Sequence, residues 1–214
     1  MRLAGIRSLA IASLLLLGAC AGYRYDYDWE TPVFAVRTED SIVVTVLDQR
    51  PEVLTGDKLP NFVGFQRTGL GLIPYDVSTA SGRPLAEDMA DTIMRGLAVN
   101  YVPVEAIYVP ASADASVATQ TVIEAGAEKG LVVLLRQWQT DTHVNIAFRY
   151  DLVVHVVDSN GNIYETATLV SERDELAGGD FLNAIEYATD RVPELEARTL
   201  ERLINQPDIV AALQ

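Results

Sequence analysis

Residues 41–48 contain a nearly continuous run of β-branched residues, Ser-Ile-Val-Val-Thr-Val-Leu-Asp. A strand of this composition is typical of the middle of a sheet, where both of its faces are covered. We therefore predict that the globular domain contains a sheet with other elements packed on it, and that it begins close to Asp40.

The predicted strand ends at Asp48-Gln49-Arg50-Pro51. Proline cannot donate to a strand ladder, and side chains two residues apart lie on the same side of a strand. Two interpretations are open for Asp48 and Arg50. They contact a ligand or partner, or they form a local ion pair or Asx-type turn that terminates the strand, and we favour the second interpretation.

The middle of the chain alternates helix and strand signals. Apolar residues recur every four positions at Leu85, Met89, Ile93 and Leu97, which predicts a helix with one core-facing stripe. Residues 102–109 are predicted to form a strand. A second helix is predicted to start at a cap, Asp114 or Ser116, to place Val117, Val122 and Ala125 on its apolar side, and to run to about Lys129, with Gly130 as its left-handed stop.

The second half indicates a meander of strands over 131–138, 144–157 and 162–171. In the long strand the even positions are apolar and the odd positions mixed, and Asn160-Gly161 is typical of a tight hairpin turn. A last helical region, with Asp180 as cap, is expected to kink or divide at Pro193, and packing is expected to end between Ile204 and Pro207. The predicted fold class is α/β (α+β): one mixed sheet, helices mainly on one face, a C-terminal antiparallel hairpin and a terminal helix, all within a single domain over residues 39–214.

Residues 1–20 have the organisation of a secretory signal ending in a lipobox. Two arginines precede an apolar run from Leu9 to Leu17, which is shorter than the roughly 20 residues of a membrane span, and Leu17-Gly18-Ala19-Cys20 follows. This pattern resembles a bacterial lipoprotein precursor. The resemblance implies cleavage between Ala19 and Cys20 and acylation of Cys20, the only cysteine, so that the domain is anchored to the membrane without spanning it.

The charge balance narrows the function classes. The chain has 16 basic and 30 acidic residues, a net charge of −14. Removal of residues 1–19, which carry two basic and no acidic residues, leaves 14 − 30 = −16. We expect no nucleic-acid partner, because phosphate binding requires clustered basic residues and these are scattered singly. Without a second cysteine the fold cannot rely on a disulfide.

Aromatic and charged residues alternate from Tyr23 to Glu30, which predicts an extended segment with one aromatic face. Within an expected lipidated tether over residues 20–38, three possibilities are open. The rings lie at the lipid headgroups, the segment is an edge strand packed on the domain, or it is a mobile spacer ending near Pro32.

Residues 51–83 show no clear period and contain several glycines together with Phe62, Phe65, Leu70 and Ile73. We interpret this stretch as a long loop, with a short strand at 76–80, and as the first candidate for a recognition surface. The candidate partner-binding residues are Asp48, Arg50, Phe62, Phe65 and Arg67.

Few residues suggest chemistry. His143 and His155 have no third histidine or thiolate with which to form a zinc site, and no serine lies in a nucleophile elbow. We predict no cofactor, no metal and no enzymatic activity. A carboxylate-based hydrolase stays the least favoured alternative.

The lipobox, the strand ending in Asp-x-Arg, the helix-strand-helix-strand order, the long hairpin and the terminal helix loosely resemble the YajG-like lipoproteins and related small α/β periplasmic modules. These include the outer-membrane activator of a penicillin-binding protein and the N-terminal module of the Tol-Pal translocation protein. Because Ala21, not aspartate, follows Cys20, the proteobacterial sorting rule implies the periplasmic face of the outer membrane. We expect a non-enzymatic docking protein for an envelope partner. The alternative is a module that binds a small apolar or glycan ligand between the sheet and Phe62 and Phe65.

Overall fold

The computed structural model describes residues 23–68, 73–176 and 183–214; the predicted cleavage site, the lipid site Cys20 and the predicted cap Asp180 lie outside them. In these residues eight strands form one mixed sheet, which confirms the predicted fold class. The strands are β1 Arg24–Tyr25, β2 Ile42–Asp48, β3 Phe62–Thr68, β4 Ile73–Thr79, β5 Val104–Ala106, β6 Lys129–Thr142, β7 Ile146–Asp158 and β8 Ile163–Leu176. The helices are α1 Pro51–Leu54, α2 Leu85–Ala98, α3 Ala115–Ala125, α4 Ala184–Ile204 and α5 Pro207–Leu213.

Strand β6 organises the sheet. One of its edges pairs in parallel with β2 along its first half and with β3 at its last residues, 140–142. Its other edge pairs with β7 in antiparallel orientation, and β8 follows β7. The hairpin β3–β4 therefore extends beyond the C-terminal end of β6, and β1 adds in parallel to β4 at Ser78 and Thr79, the end away from the hairpin connection.

The two faces of the sheet are covered unequally. The inner face, which includes Leu131 and Val133, packs against α2, α4 and α5 in the main core. The outer face, which includes Val132 and Leu134, packs against α3 in a smaller core. Helices thus lie mainly on one face, as predicted, and every residue of β2 is buried.

The long periodic elements match their predictions, but some of their ends differ. Helix α3 is capped by Asp114, as one alternative proposed, yet it ends at Gly126, whose φ is 71°, and Gly130 lies in β6. Its buried residues are Ala118 and Val122, whereas Val117 and Ala125 are exposed. Gly161, with φ 83°, ends the β7–β8 turn.

The C-terminal region is more helical than predicted. Helix α4 continues through Pro193, because Val192, Pro193 and Leu200 are buried in the core and their packing outweighs the roughly 3 kcal/mol that a proline costs inside a helix. Packing does not end at Pro207. That residue begins α5, whose Ile209 and Leu213 are fully buried.

The interpretation of residues 51–83 as a long loop is wrong. The segment contains α1 and the hairpin β3–β4, and β3 is an integral strand of the sheet. Gly64 makes this possible, because a Cβ there would lie 2.2 Å from the carbonyl oxygen of Thr140. The glycines interrupt the apolar pattern by which a strand is recognised in a sequence, and one of them, Gly64, allows β3 to pack closely against β6.

Residues 23–38 form a strap on the domain rather than a tether outside it. Tyr25, Tyr27, Phe34 and Val36 are buried in the main core, and Arg24–Tyr25 pairs with β4. Two side chains bind the strap backbone: Asn100, which follows α2, donates to Phe34 O (2.7 Å), and Glu201 on α4 accepts from Val33 N (2.7 Å). The edge-strand alternative is thus the one observed, and the folded unit begins before residue 39. None of the helices within the described residues is long and apolar enough to cross a bilayer.

Candidate functional site

Asp48 and Arg50 form a buried clamp. The Arg50 Nε and Nη2 groups donate to the Asp48 carboxylate at 2.9 and 2.7 Å, and Nη1 and Nη2 donate to the carbonyls of Phe62 and Pro60 at 2.5 and 2.9 Å. The Arg50 side chain is fully buried. A buried pair with these partners is a structural ion pair, so Asp48 and Arg50 are not themselves contact residues, and the local interpretation is the one observed. The clamp ties the end of β2 to the start of β3.

A groove of about 430 Å³ lies beside this clamp on the outer face of the sheet. On β6 and β7 the polar residues Gln137, Gln139 and Asp151 face outward, while their neighbours Trp138 and Tyr150 belong to the main core. The lining residues come from the α1 region and three strands: Pro51, Glu52, Lys58, Phe62, Phe65, Arg136, Gln137, Gln139 and Asp151.

Two aromatic rings form one wall of the groove. Phe62 and Phe65 pack edge to face with ring centroids 5.1 Å apart. The Lys58 ammonium lies 4.8 and 4.9 Å from the two centroids and donates to Asp76 at 2.6 and 2.7 Å. A cation already covers the aromatic wall, which leaves little ring surface for a sugar to stack on.

The charges in the groove are not neutralised by one another. Arg136 occupies the bulge between Leu135 and Gln137, is exposed, and makes no hydrogen bond or ion pair within the described residues. Its charge, together with burial as the larger cause, lowers the pKa of His155. Asp151 Oδ1 is buried and has no hydrogen-bond partner in this part of the chain. The groove therefore offers a free guanidinium donor and a free carboxylate acceptor side by side.

Of the predicted site residues, the groove brings together Phe62 and Phe65. Arg67 lies farther along β3 and makes a bidentate ion pair with Asp141 at 2.6 and 2.7 Å. Sequence reasoning missed Lys58, Arg136 and Gln137. A charged residue directly after the apolar run 131–135 was the available signal for Arg136.

The described side chains do not form a metal site: no group of three His, Cys, Asp or Glu residues among them is placed to hold an ion. His155 Nδ1 instead lies 2.8 Å from Thr166 Oγ1, a cross-strand hydrogen bond between β7 and β8.

No protein-family model matches the sequence, and no curated protein matches it. Among solved structures, protein XCC0632 from Xanthomonas campestris, of family model DUF330, has 11% identity and a TM-score of 0.48, with 88% of this chain and 93% of that chain covered. The PelC dodecamer from Paraburkholderia phytofirmans has 13% identity and a TM-score of 0.40, with 86% and 94% covered. Neither likeness transfers a family or a function to this chain.

Proposed function

We propose that this chain is a lipid-anchored protein of the bacterial outer membrane, facing the periplasm, that docks an envelope partner protein without catalysing a reaction. The anchor is the acylated Cys20 of the lipobox. The docking surface is the groove on the outer face of the sheet.

The observation that supports docking is an open groove in which Arg136 makes no hydrogen bond or ion pair within the described residues, next to exposed apolar side chains. Leu54 and Leu59, which are 55% and 72% exposed, belong to the same connection that supplies Lys58 and Glu52. A free guanidinium beside apolar side chains is typical of the anchor residues of protein interfaces. Among the described helices, α3 is the one that packs in the core of the outer face, and the groove itself stays open beside α1.

Point variants test this proposal better than a deletion, because removing residues 56–80 would remove β3 and β4 from the sheet. Full-length protein carrying a photo-crosslinking residue at Leu59 is isolated from the membrane fraction, and its mass confirms acylation of Cys20. We expect one dominant crosslinked envelope protein, and at least a ten-fold loss of that adduct with Arg136→Glu, a change of about 1.4 kcal/mol or more.

The matched control is Arg198→Gln, which changes an exposed arginine on α4, away from the groove. Its adduct should equal that of the wild type. Equal adducts from Arg136→Glu and wild type would remove the groove from the docking surface, and unacylated protein would overturn the anchor.

A small apolar or glycan ligand is the second candidate, supported by the groove volume, which lies within the range of about 300–1,000 Å³ for ligand pockets. Since Lys58 covers the two rings, a stacking ligand must displace it. Calorimetric titration with a panel of soluble disaccharides should then show tighter binding to Lys58→Ala than to wild type. No heat with either protein would eliminate the glycan candidate.

A further inference from the structure

The entry of the chain into the domain has a defined direction. Strand β1 pairs in parallel with β4, with Arg24 opposite Ser78 and Tyr25 opposite Thr79. Two parallel strands run in the same direction, so their N-terminal ends lie at the same end of the pair. Tyr23, whose carbonyl accepts from Ser78 N at 3.1 Å, therefore lies on the side on which β4 begins, and β4 begins at Ile73, at the hairpin end.

The link between the lipid site and the sheet is short. Three residues lie between Cys20 and Arg24, and the four residue steps from one to the other span at most about 14 Å when extended. If Cys20 is acylated, as proposed above, the membrane surface must lie within about that distance of Arg24.

The β3–β4 hairpin projects at least as far in this direction as the link can reach. Ile73 lies five residues before Ser78 along β4, which corresponds to about 17 Å of strand. The hairpin also extends beyond Thr142, the last residue of β6. A bilayer held so close to Arg24 on this side would meet the described end of the hairpin around residues 73–75.

The side chains at this end are apolar and uncovered. Ile73 is 61% exposed and Tyr75 47% exposed, and Pro74 between them is exposed as well. Farther along the same strand Val77 is fully buried in the core, so exposure increases toward the hairpin end. Tyrosine is enriched at membrane–water interfaces, where its ring is buried and its hydroxyl is solvated.

We infer that the described end of the β3–β4 hairpin, Ile73, Pro74 and Tyr75, is a membrane-contact surface that inserts into the headgroup region beside the lipidated N-terminus. This inference rests on the proposed lipid anchor. It makes the hairpin a second point of attachment, which limits how the domain can tilt on the lipid surface.

The test uses single-cysteine variants of the acylated full-length protein, because acylation of Cys20 leaves an introduced cysteine as the only free thiol. Ile73→Cys, Leu59→Cys and Val99→Cys carry an environment-sensitive fluorophore. The proteins are reconstituted in vesicles of phosphatidylethanolamine and phosphatidylglycerol that contain nitroxide-labelled lipid. Leu59 and Val99 are exposed apolar residues of the same kind, in the connection before β3 and at the end of α2.

We expect lipid-borne nitroxide to quench the label at position 73 several-fold more than the label at position 99, with a blue-shifted emission at 73 only. Quenching of the label at position 59 should be weaker than that of the label at position 73. Acylated protein in which all three labels respond only to an aqueous quencher would overturn the membrane contact and leave the anchor intact. A mass without acyl chains would overturn the anchor itself, and the inference with it.

Discussion

Two groups of charged side chains are buried equally deeply in this protein and differ in how they are satisfied. Arg50 donates to the Asp48 carboxylate and to two backbone carbonyls. Glu196 on α4 is 1% exposed, and its Oε1 has no hydrogen-bond partner within the described residues. Tyr27 Oη, Trp138 Nε1 and Arg95 Nε are likewise buried without partners.

The difference lies in which form of each group the fold stabilises. A buried ion pair whose remaining donors reach carbonyls keeps its charges. A carboxyl without partners favours its neutral form, and burial raises the pKa of Glu196 well above its ordinary range, with the negative charge of Asp88 acting in the same direction and Arg95 opposing it. Equally deep burial therefore gives a fully hydrogen-bonded ion pair at Asp48 and Arg50 and a pH-sensitive group at Glu196.

The largest effect should come from breaking the clamp. Arg50→Ala leaves the Asp48 carboxylate buried without its partner and leaves the carbonyls of Pro60 and Phe62 without donors. We expect a loss of about 3–5 kcal/mol in the free energy of unfolding, measured by urea denaturation. The double variant Asp48→Leu/Arg50→Met should lose less than Arg50→Ala, since it removes the orphaned charge. A double variant less stable than the single one would contradict this account.

The variant Glu196→Gln tests whether the buried carboxyl of Glu196 makes stability depend on pH. A carboxyl whose pKa is raised in the folded state contributes stability below its unfolded pKa and loses that contribution as pH rises through the folded value. Wild-type stability should therefore fall with rising pH from about 4.5 upward. The glutamine variant should fall less, with the largest difference at the alkaline end. The charged groups around Glu196 are Asp88, Arg95 and Asp28. Parallel stability curves for the two proteins would contradict the prediction.

Asp88→Asn should remove a smaller part of the same pH dependence. Burial raises the pKa of Asp88 to about 6, against the opposing effects of the Ser81 hydrogen bond and of Arg83. The wild type should lose about 2 kcal/mol between pH 4 and pH 6 through this group. Thermal unfolding of the variant should be flatter over that window only. Since Ser81 Oγ donates to the carboxylate at 2.6 Å, Ser81→Ala should raise the midpoint of the wild-type transition.

The smallest expected effects are those of removing the hydroxyl groups of two tyrosines in the strap. Tyr25 Oη lies 3.4 Å from Thr142 Oγ1, whereas Tyr27 Oη makes no hydrogen bond within the described residues, although the Trp138 side chain lowers the tyrosine's pKa against the larger effect of burial. Tyr25→Phe should cost about 0.5–1 kcal/mol, and Tyr27→Phe should be neutral or stabilising. Chemical denaturation of the two variants at one pH makes the comparison. A larger cost for Tyr27→Phe would show that its hydroxyl is satisfied in solution.

Part of the candidate site was predictable. The aromatic residues Phe62 and Phe65 were identified because they stand out in an otherwise irregular stretch, and both line the groove. Asp48 and Arg50 were correctly placed on one side of the strand end. Their burial was not predictable, because it results from carbonyls at positions 60 and 62 that become neighbours only when β3 joins the sheet. Gln137 was missed because a bulge, which depends on the pairing of β6 with β7, places it on the same face as Arg136.

The sequence by itself determined the long periodic elements: β2, α2, the strands of the meander and the terminal helix. Their hydrophobic periods are properties of the local chain, so they are readable without any partner. Tertiary structure alone decided the course of residues 23–38 and 51–83. Residues 23–30 have a period of two, which predicts an extended chain but not the strand with which it pairs, and residues 51–83 are too rich in glycine to show a period. The conformation of these segments comes from pairing with β4 and β6 and from packing on α2 and α4. It also decided which buried charges are satisfied, because the partners are far apart in the chain.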